Sequence, residues 1–203
     1  MSIRTPEGCS LARAAAFNST TMKTYFDKLE EVLQRHPSFA DGSSLFNLDE
    51  TCTSTVQTCR KIVCPKGVKQ VHEVKSAERG TSVTTVCIVG ASGTVIPPVH
   101  IFPRKKFQNK MLHDCYPGAL GLVNKNGYMT KTLFVDVMKH FIKHSRSSKE
   151  SPTLLFVDNC LAHLNPEAID LCKANGITLF TFPPHCTHKV QPLDLTVMGP
   201  FQI

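Results

Sequence analysis

Thr153-Leu154-Leu155-Phe156-Val157-Asp158-Asn159-Cys160-Leu161-Ala162-His163 is the stretch on which the reading of this chain turns. Four apolar residues run without a break and stop at an aspartate. A run this short and this apolar predicts a strand buried on both faces. Ser151-Pro152 supplies the turn that starts it. Asp158 then falls at the carboxyl end of the strand, where an open α/β sheet keeps its ligand crevice. Packing explains a carboxylate there poorly, because Asp is rarely buried unless it is paired or bound to a cation.

Two other aspartates fit the same description. Asp49 ends the apolar run Ser44-Leu45-Phe46-Asn47-Leu48-Asp49, and Asp194 ends Gln191-Pro192-Leu193-Asp194, after a loop rich in Pro and His. Three carboxylates brought together repel one another unless a divalent cation neutralises them. Hard oxygen ligands without a Cys/His cluster select Mg²⁺ or Mn²⁺ over Zn²⁺.

Working outward, the 203 residues suit one domain with a short helical appendage. The hydrophobic fraction of 41% is ordinary for a chain with a real core. A formal charge of +7 fits either a solvated basic surface or a polyanionic partner. No apolar run approaches a membrane span, and the first residues have no apolar signal core. Nine Cys at irregular spacings then read as reduced thiols of a cytosolic or nuclear protein.

Helical spacing is clear at Met22, Tyr25, Phe26, Leu29, Val32 and Leu33, with Ser19, Thr20 or Thr21 as cap and Pro37 beyond the end. Ser10–Phe17 predicts a shorter helix. Leu45–Asp49 is strand-like, and Thr51–Gln70 is a polar stretch without a period. Val83–Val89 and Thr94–Ile96 predict a hairpin around Gly90-Ala91-Ser92-Gly93. Pro97-Pro98 should make its second strand an edge or end it in a bulge. Phe102–Phe107 reads as a loop with three cations, and a mid-size loop with Pro117, Gly118, Gly121 and Gly127 follows. Leu133, Phe134, Val137, Met138, Phe141 and Ile142 form the best helical stripe, capped by Thr130. Pro166–Ala174 predicts a helix with Asn165 as cap and Gly176 as stop, and Ile177–Phe182 a last strand. A mixed sheet flanked by helices accounts for this order. If the strands ending at Asp49 and Asp158 are parallel neighbours, both carboxylates lie at one sheet edge, the ribonuclease-H-like arrangement.

Six motifs in this order carry a more specific signal: Asn47-Leu48-Asp49-Glu50-Thr51; Glu78-Arg79-Gly80; Ile101-Phe102-Pro103-Arg104-Lys105; Asp158-Asn159 with His163; Pro183-Pro184-His185 with His188; and Gln191-Pro192-Leu193-Asp194. Together they resemble the DDE endonuclease domain of pogo-type transposases of the mariner superfamily, a group that includes Tigger- and Jerky-derived proteins and resembles centromere protein B. The resemblance covers residues 43–203, with 1–42 as a helical connector and the domain cut short at its carboxyl end. It implies that Asp49, Asp158 and Asp194 are the catalytic, metal-holding triad. An Asp in third place, with 35 residues between Asp158 and Asp194, matches the pogo type. The implied chemistry is two-metal phosphoryl transfer on DNA with Mg²⁺ or Mn²⁺. DNA is then the partner, the nucleus the compartment, and a homodimer is compatible with the family.

Other readings stand beside these. Asn159, His163, His185 and His188 read as supporting residues, the imidazoles positioning loop backbone or carboxylates. Cys160 with His185, Cys186 and His188 lacks zinc-site spacing, as do Cys52, Cys59 and Cys64. Arg104, Lys105 and Lys106, with Lys66 and Lys69, are phosphate contacts or a solvated loop. Glu50 points away from Asp49 in a strand and suits a cation partner. The family's helix-turn-helix region does not fit in the first 40 residues. A domesticated or relic protein that binds nucleic acid without catalysis is therefore the alternative function.

Overall fold

The computed structural model describes residues 10–55, 62–68, 71 and 82–201. Glu78-Arg79-Gly80, Lys69 and Cys59 lie outside the described residues.

Thr153–Val157 is a strand (β5), and it lies inside a six-stranded sheet. The others are β1 (Leu45–Ser54), β2 (Ser82–Gly90), β3 (Val95–Pro103), β4 (Leu120–Asn124) and β6 (Ile177–Thr181). Their order across the sheet is β4-β3-β2-β1-β5-β6. β1, β2 and β3 form an antiparallel meander; β4 pairs parallel to β3, and β5 and β6 continue parallel from β1. This is the mixed, helix-flanked, ribonuclease-H-like sheet that the order of elements predicts.

The unbroken apolar run of β5 follows from cover on both sides. On one face Leu155 and Val157 join Leu48, Val86 and Ile88 under the helices α4 (Lys131–Ser145) and α5 (Pro166–Ala174), through Phe134, Val137, Met138, Phe141, Ala168 and Cys172. Burying a side chain such as Phe134 or Phe141, both fully enclosed, contributes about 1.5–3 kcal/mol. On the other face Leu154 and Phe156 meet Val32 and Leu33 of α2 (Ser19–Leu33) and Phe39 of α3 (Pro37–Ala40). α1 (Leu11–Ala16) precedes them and buries nothing. The chain closes with α6 (Thr187–Val190), a single π turn over Leu193–Val197, and α7 (Met198–Phe201).

Several local expectations change. Asn18, not Ser19, Thr20 or Thr21, caps α2, because its side chain accepts from the Thr21 N–H. β1 runs five residues past Asp49, held by β2 alone as far as Ser54 opposite Ser82. The polar, β-branched residues of that extension suit a ladder more than a core, so no apolar period marks them. The bulge expected at Pro97-Pro98 is present, as a register shift facing Val86–Ile88. The strand nevertheless continues to Pro103 and is internal beyond it, with β4 on its far side. β4 lies in the stretch read as a loop. All five of its residues are only half-buried, so it shows no alternation to read.

Gly176 stops α5 at φ +69°, and a Cβ there would collide with the Ser148 carbonyl. Gly176→Ala should therefore destabilise the fold, by more than the ~1 kcal/mol by which the same change can stabilise a compatible glycine site. Urea unfolding would register it as a lower midpoint with an unchanged slope.

Candidate active site

Parallel pairing sets the first two aspartates side by side. Asn47 lies opposite Phe156 in the β1–β5 ladder. Two residues on, the same register puts Asp49 beside Asp158, one residue past the end of β5. Alternation along β1 sends Leu48 and Glu50 to the α4 face, and Asn47 and Asp49 to the opposite one.

Asn47 brings in the third. Its Oδ1 accepts the Leu193 N–H at 3.0 Å, and its Nδ2 donates to the Phe156 carbonyl at 3.2 Å. One buried amide thus ties β1 to β5 and to the π turn. That bond carries Asp194, in the first turn of the π segment, against Asp49. Burial, and then the charge of Asp194, push the Asp49 carboxyl up to about 7. Two acids so close share a proton when nothing else neutralises them. The Gln191 amide lies near enough to Asp49 to offset part of the shift. It is 1% exposed, yet neither of its polar atoms closes a hydrogen bond of good geometry. Nδ1 of His188 is likewise buried without a partner.

Asp158 is held differently. Its Oδ1 lies 2.6 Å from Nδ1 of His163, a short ion contact whose angle is poor for a hydrogen bond. The same oxygen accepts the Cys160 N–H at 3.0 Å. Nε2 of His163 reaches Glu50 Oε1 at 2.9 Å, and its ring lies over Phe134 with centroids 4.5 Å apart. His163 is 3% exposed. Burial alone would lower its pKa, but the two carboxylates outweigh burial and raise it to about 10. Burial likewise works to raise Asp158, and the His163 contacts overcome it, so that carboxyl titrates below its ordinary range. At neutral pH Asp158 is therefore ionised and His163 protonated between the two carboxyl groups.

Asn159 is exposed and borders a crevice of about 510 Å³ between α2 and β6, away from the Asp49–Asp194 pair. His185 is exposed at φ +62°, in the turn that leads into α6. Arg104, Lys105 and Lys106 are exposed in the loop after β3. Among the described residues no three His, Cys, Asp or Glu side chains gather closely enough to hold a metal ion, which also leaves the Cys160, His185, Cys186 and His188 set without a cluster. Asp49 and Asp194 are joined; Asp158 stands just past the adjacent strand, turned to His163. Glu50 has the cation partner expected of it, His163, and Asn47 is the working residue that sequence reasoning left in the background. The signal for Asn47 was its type: a buried amide in an apolar strand needs partners.

The pair still suits a hard cation. Its donors are carboxylate oxygens, only a shared proton relieves their mutual repulsion, and the neighbouring buried Gln191 amide closes no hydrogen bond of good geometry. A model of the family described as DDE superfamily endonuclease matches residues 79–202, well over half of the chain. The chain belongs to the DDE superfamily of endonucleases. The match includes Asp158 and Asp194, while Asp49 lies upstream of it. The DDE fold is shared with the Mos1 transposase paired-end complex with left transposon end, at TM-score 0.57 and 10% identity over 100% of this chain and 51% of that one. The Mos1 mariner paired-end complex with Mn aligns over 99% of this chain and 51% of that one, at TM-score 0.55 and 10% identity. A protein of Cochliobolus lunatus named MFS-type transporter clz9 is 29% identical over 122 residues, 59% of this chain and 13% of that protein. Among the described residues no helix is long and apolar enough to cross a membrane.

The strained acid pair has a measurable consequence. In metal-free protein, Asp49→Asn should stabilise the fold above pH 7 by on the order of 1–3 kcal/mol. The sign follows from a carboxyl whose pKa rises on folding from 3.8 to about 7. Its penalty is absent below pH 4 and complete above pH 7. Melting temperatures in EDTA at pH 4 and pH 8 would show a gain at pH 8 only.

Proposed function

We propose that this domain is a pogo-type DDE endonuclease that cuts and joins DNA by metal-assisted phosphoryl transfer. The observation that carries the reading is the convergence of Asp49 and Asp194, from strands and turns far apart in sequence, beside the register position of Asp158. The DDE family membership and the DNA complexes formed by the Mos1 transposase support DNA as the substrate. Asp49, Asp158 and Asp194 would hold Mg²⁺ or Mn²⁺. Bound there, the ions would supply Lewis-acid activation of a water or a DNA 3′-hydroxyl and stabilise the leaving oxygen.

The chain's own residues prepare that chemistry. Asn47 holds the π turn so that Asp194 faces Asp49. His163, clamped by Glu50, keeps Asp158 ionised at neutral pH and fixes its orientation. The Asp49 proton has to leave before the pair can bind a cation, so affinity should rise with pH through about 7. DNA as the substrate implies work in the nucleus, and action as a homodimer is compatible with the family.

The contact of Asp158 with His163 favours a second reading, a non-catalytic descendant that binds nucleic acid. Nicking of supercoiled plasmid with Mg²⁺, Mn²⁺ or EDTA decides between them. Metal-dependent nicking by the purified chain supports the endonuclease. No nicking with either metal, together with no metal-induced rise in melting temperature, assigns it to the second reading.

A further inference from the structure

The loop after β3 borders a cavity of about 760 Å³ whose charged lining residues, among those described, are all cationic. Arg104, Lys105 and Lys106 line it with Lys110 of the 3₁₀ turn Asn109–Leu112, over a floor of Val83, Phe102, Pro103 and Met111. Among the described residues no carboxylate lines it. Among the described residues, none of the four cations has an acidic partner within ion-pair distance. Four like charges left unneutralised around one concavity disfavour the empty state and attract a polyanion.

The loop is also braced. The ring of Phe107 packs against Gly121 of β4, where any Cβ would collide with it. Arg104 donates to the Pro103 carbonyl at 3.0 Å, which directs its guanidinium. A loop anchored by an aromatic on a glycine presents its charges at set positions, unlike a freely solvated lysine run.

Its place relative to the acids is set by the sheet. The cavity lies at the end of the β1–β3 meander where β1 finishes, beside Thr55 and Val83. From Asp49 to Thr55, β1 and the residue after it advance roughly 20 Å, at about 3.3 Å per residue. A B-form duplex advances about 3.4 Å per base pair, so that separation is roughly six base pairs. We propose that this basic groove grips the phosphodiester backbone of duplex DNA about half a helical turn from the phosphate held at Asp49, Asp158 and Asp194. The proposal rests on the reading of the domain as DNA-acting, and it adds a positioning contact remote from the acids. Backbone contacts of this kind set orientation without reading sequence.

The test compares the full chain with Lys105→Gln/Lys106→Gln/Lys110→Gln, and with a control of equal charge change, Lys131→Gln/Lys143→Gln/Lys173→Gln. Binding of a short labelled duplex is followed by anisotropy over a salt series. Each lost phosphate contact lowers the log–log salt slope by about 0.9, so the groove variant should lose roughly 2–3 from its slope and bind at least tenfold more weakly at low salt. The control should keep the wild-type slope. Equal losses in both variants, an unchanged slope in the groove variant, or no duplex binding by wild type would each overturn the proposal. So would poly-glutamate that displaces the duplex as well as unlabelled DNA does, since it would assign the groove to acidic polypeptides. An unchanged slope with Mg²⁺-dependent nicking intact removes the groove alone. The expected slope change in a chain that never nicks keeps the groove and removes the endonuclease.

Discussion

Asp158→Ala is expected to reduce Mg²⁺-dependent nicking by well over the ~100-fold that loss of an outer partner of a metal ligand can cost. Asp158→Asn should do nearly as badly, because a neutral amide cannot balance a cation's charge. Neither variant is silent for the fold. Asp158 is 37% exposed and pairs with a buried imidazolium, so alanine leaves His163 with Glu50 alone. Melting temperatures must accompany the nicking assay, and Asp49→Asn supplies the cleaner comparison. That variant removes a repelling carboxyl, should melt no lower than wild type in EDTA, and should still lose nicking. Metal-dependent nicking retained within tenfold in both Asp158→Ala and Asp49→Asn would exclude the assigned triad.

His163→Gln should be the most destabilising change at the site that leaves the triad carboxylates in place. It removes the only cation contacting Glu50 and Asp158 among the described residues. Breaking a buried ion pair typically costs ~3–5 kcal/mol, and the partial exposure of both carboxylates places this case toward the lower end. The effect should depend on pH. His163 titrates near 10 in the folded protein against about 6.5 unfolded, so its contribution is complete below pH 6.5 and fades as pH rises toward 10. In EDTA the gap in unfolding free energy between wild type and His163→Gln should therefore be largest near pH 6 and nearly closed at pH 10. A gap that widened with pH would mean that His163 is buried neutral. With metal present, the same variant should nick about 10–100-fold more slowly, the usual cost of disturbing the group that orients a ligand.

Much of the sheet was legible in the chain because local physics writes it there. An unbroken apolar run reports a strand covered on both faces, and β5 is such a strand. Thr130, Asn165 and Gly176 act within a few residues of themselves, so their helix ends could be read directly. Asp49 and Asp158 were visible because charge that closes an apolar run contradicts packing. β4 was hidden because a half-buried edge strand has neither period nor continuous apolarity. The course of β3 past Pro97-Pro98 was hidden because a bulge lets prolines sit where a regular ladder would reject them.

The state of each carboxylate was decided only by tertiary structure. Asn47 meets Leu193 across 146 residues, and Glu50 meets His163 across 113. No local pattern encodes contacts that loops of that length close. Sequence alone presents three equivalent aspartates. The fold makes Asp49 a reluctant acid beside Asp194, and Asp158 a ready anion beside His163. An ionisation equilibrium depends on burial and on the charge facing the group, and only the packed chain supplies both.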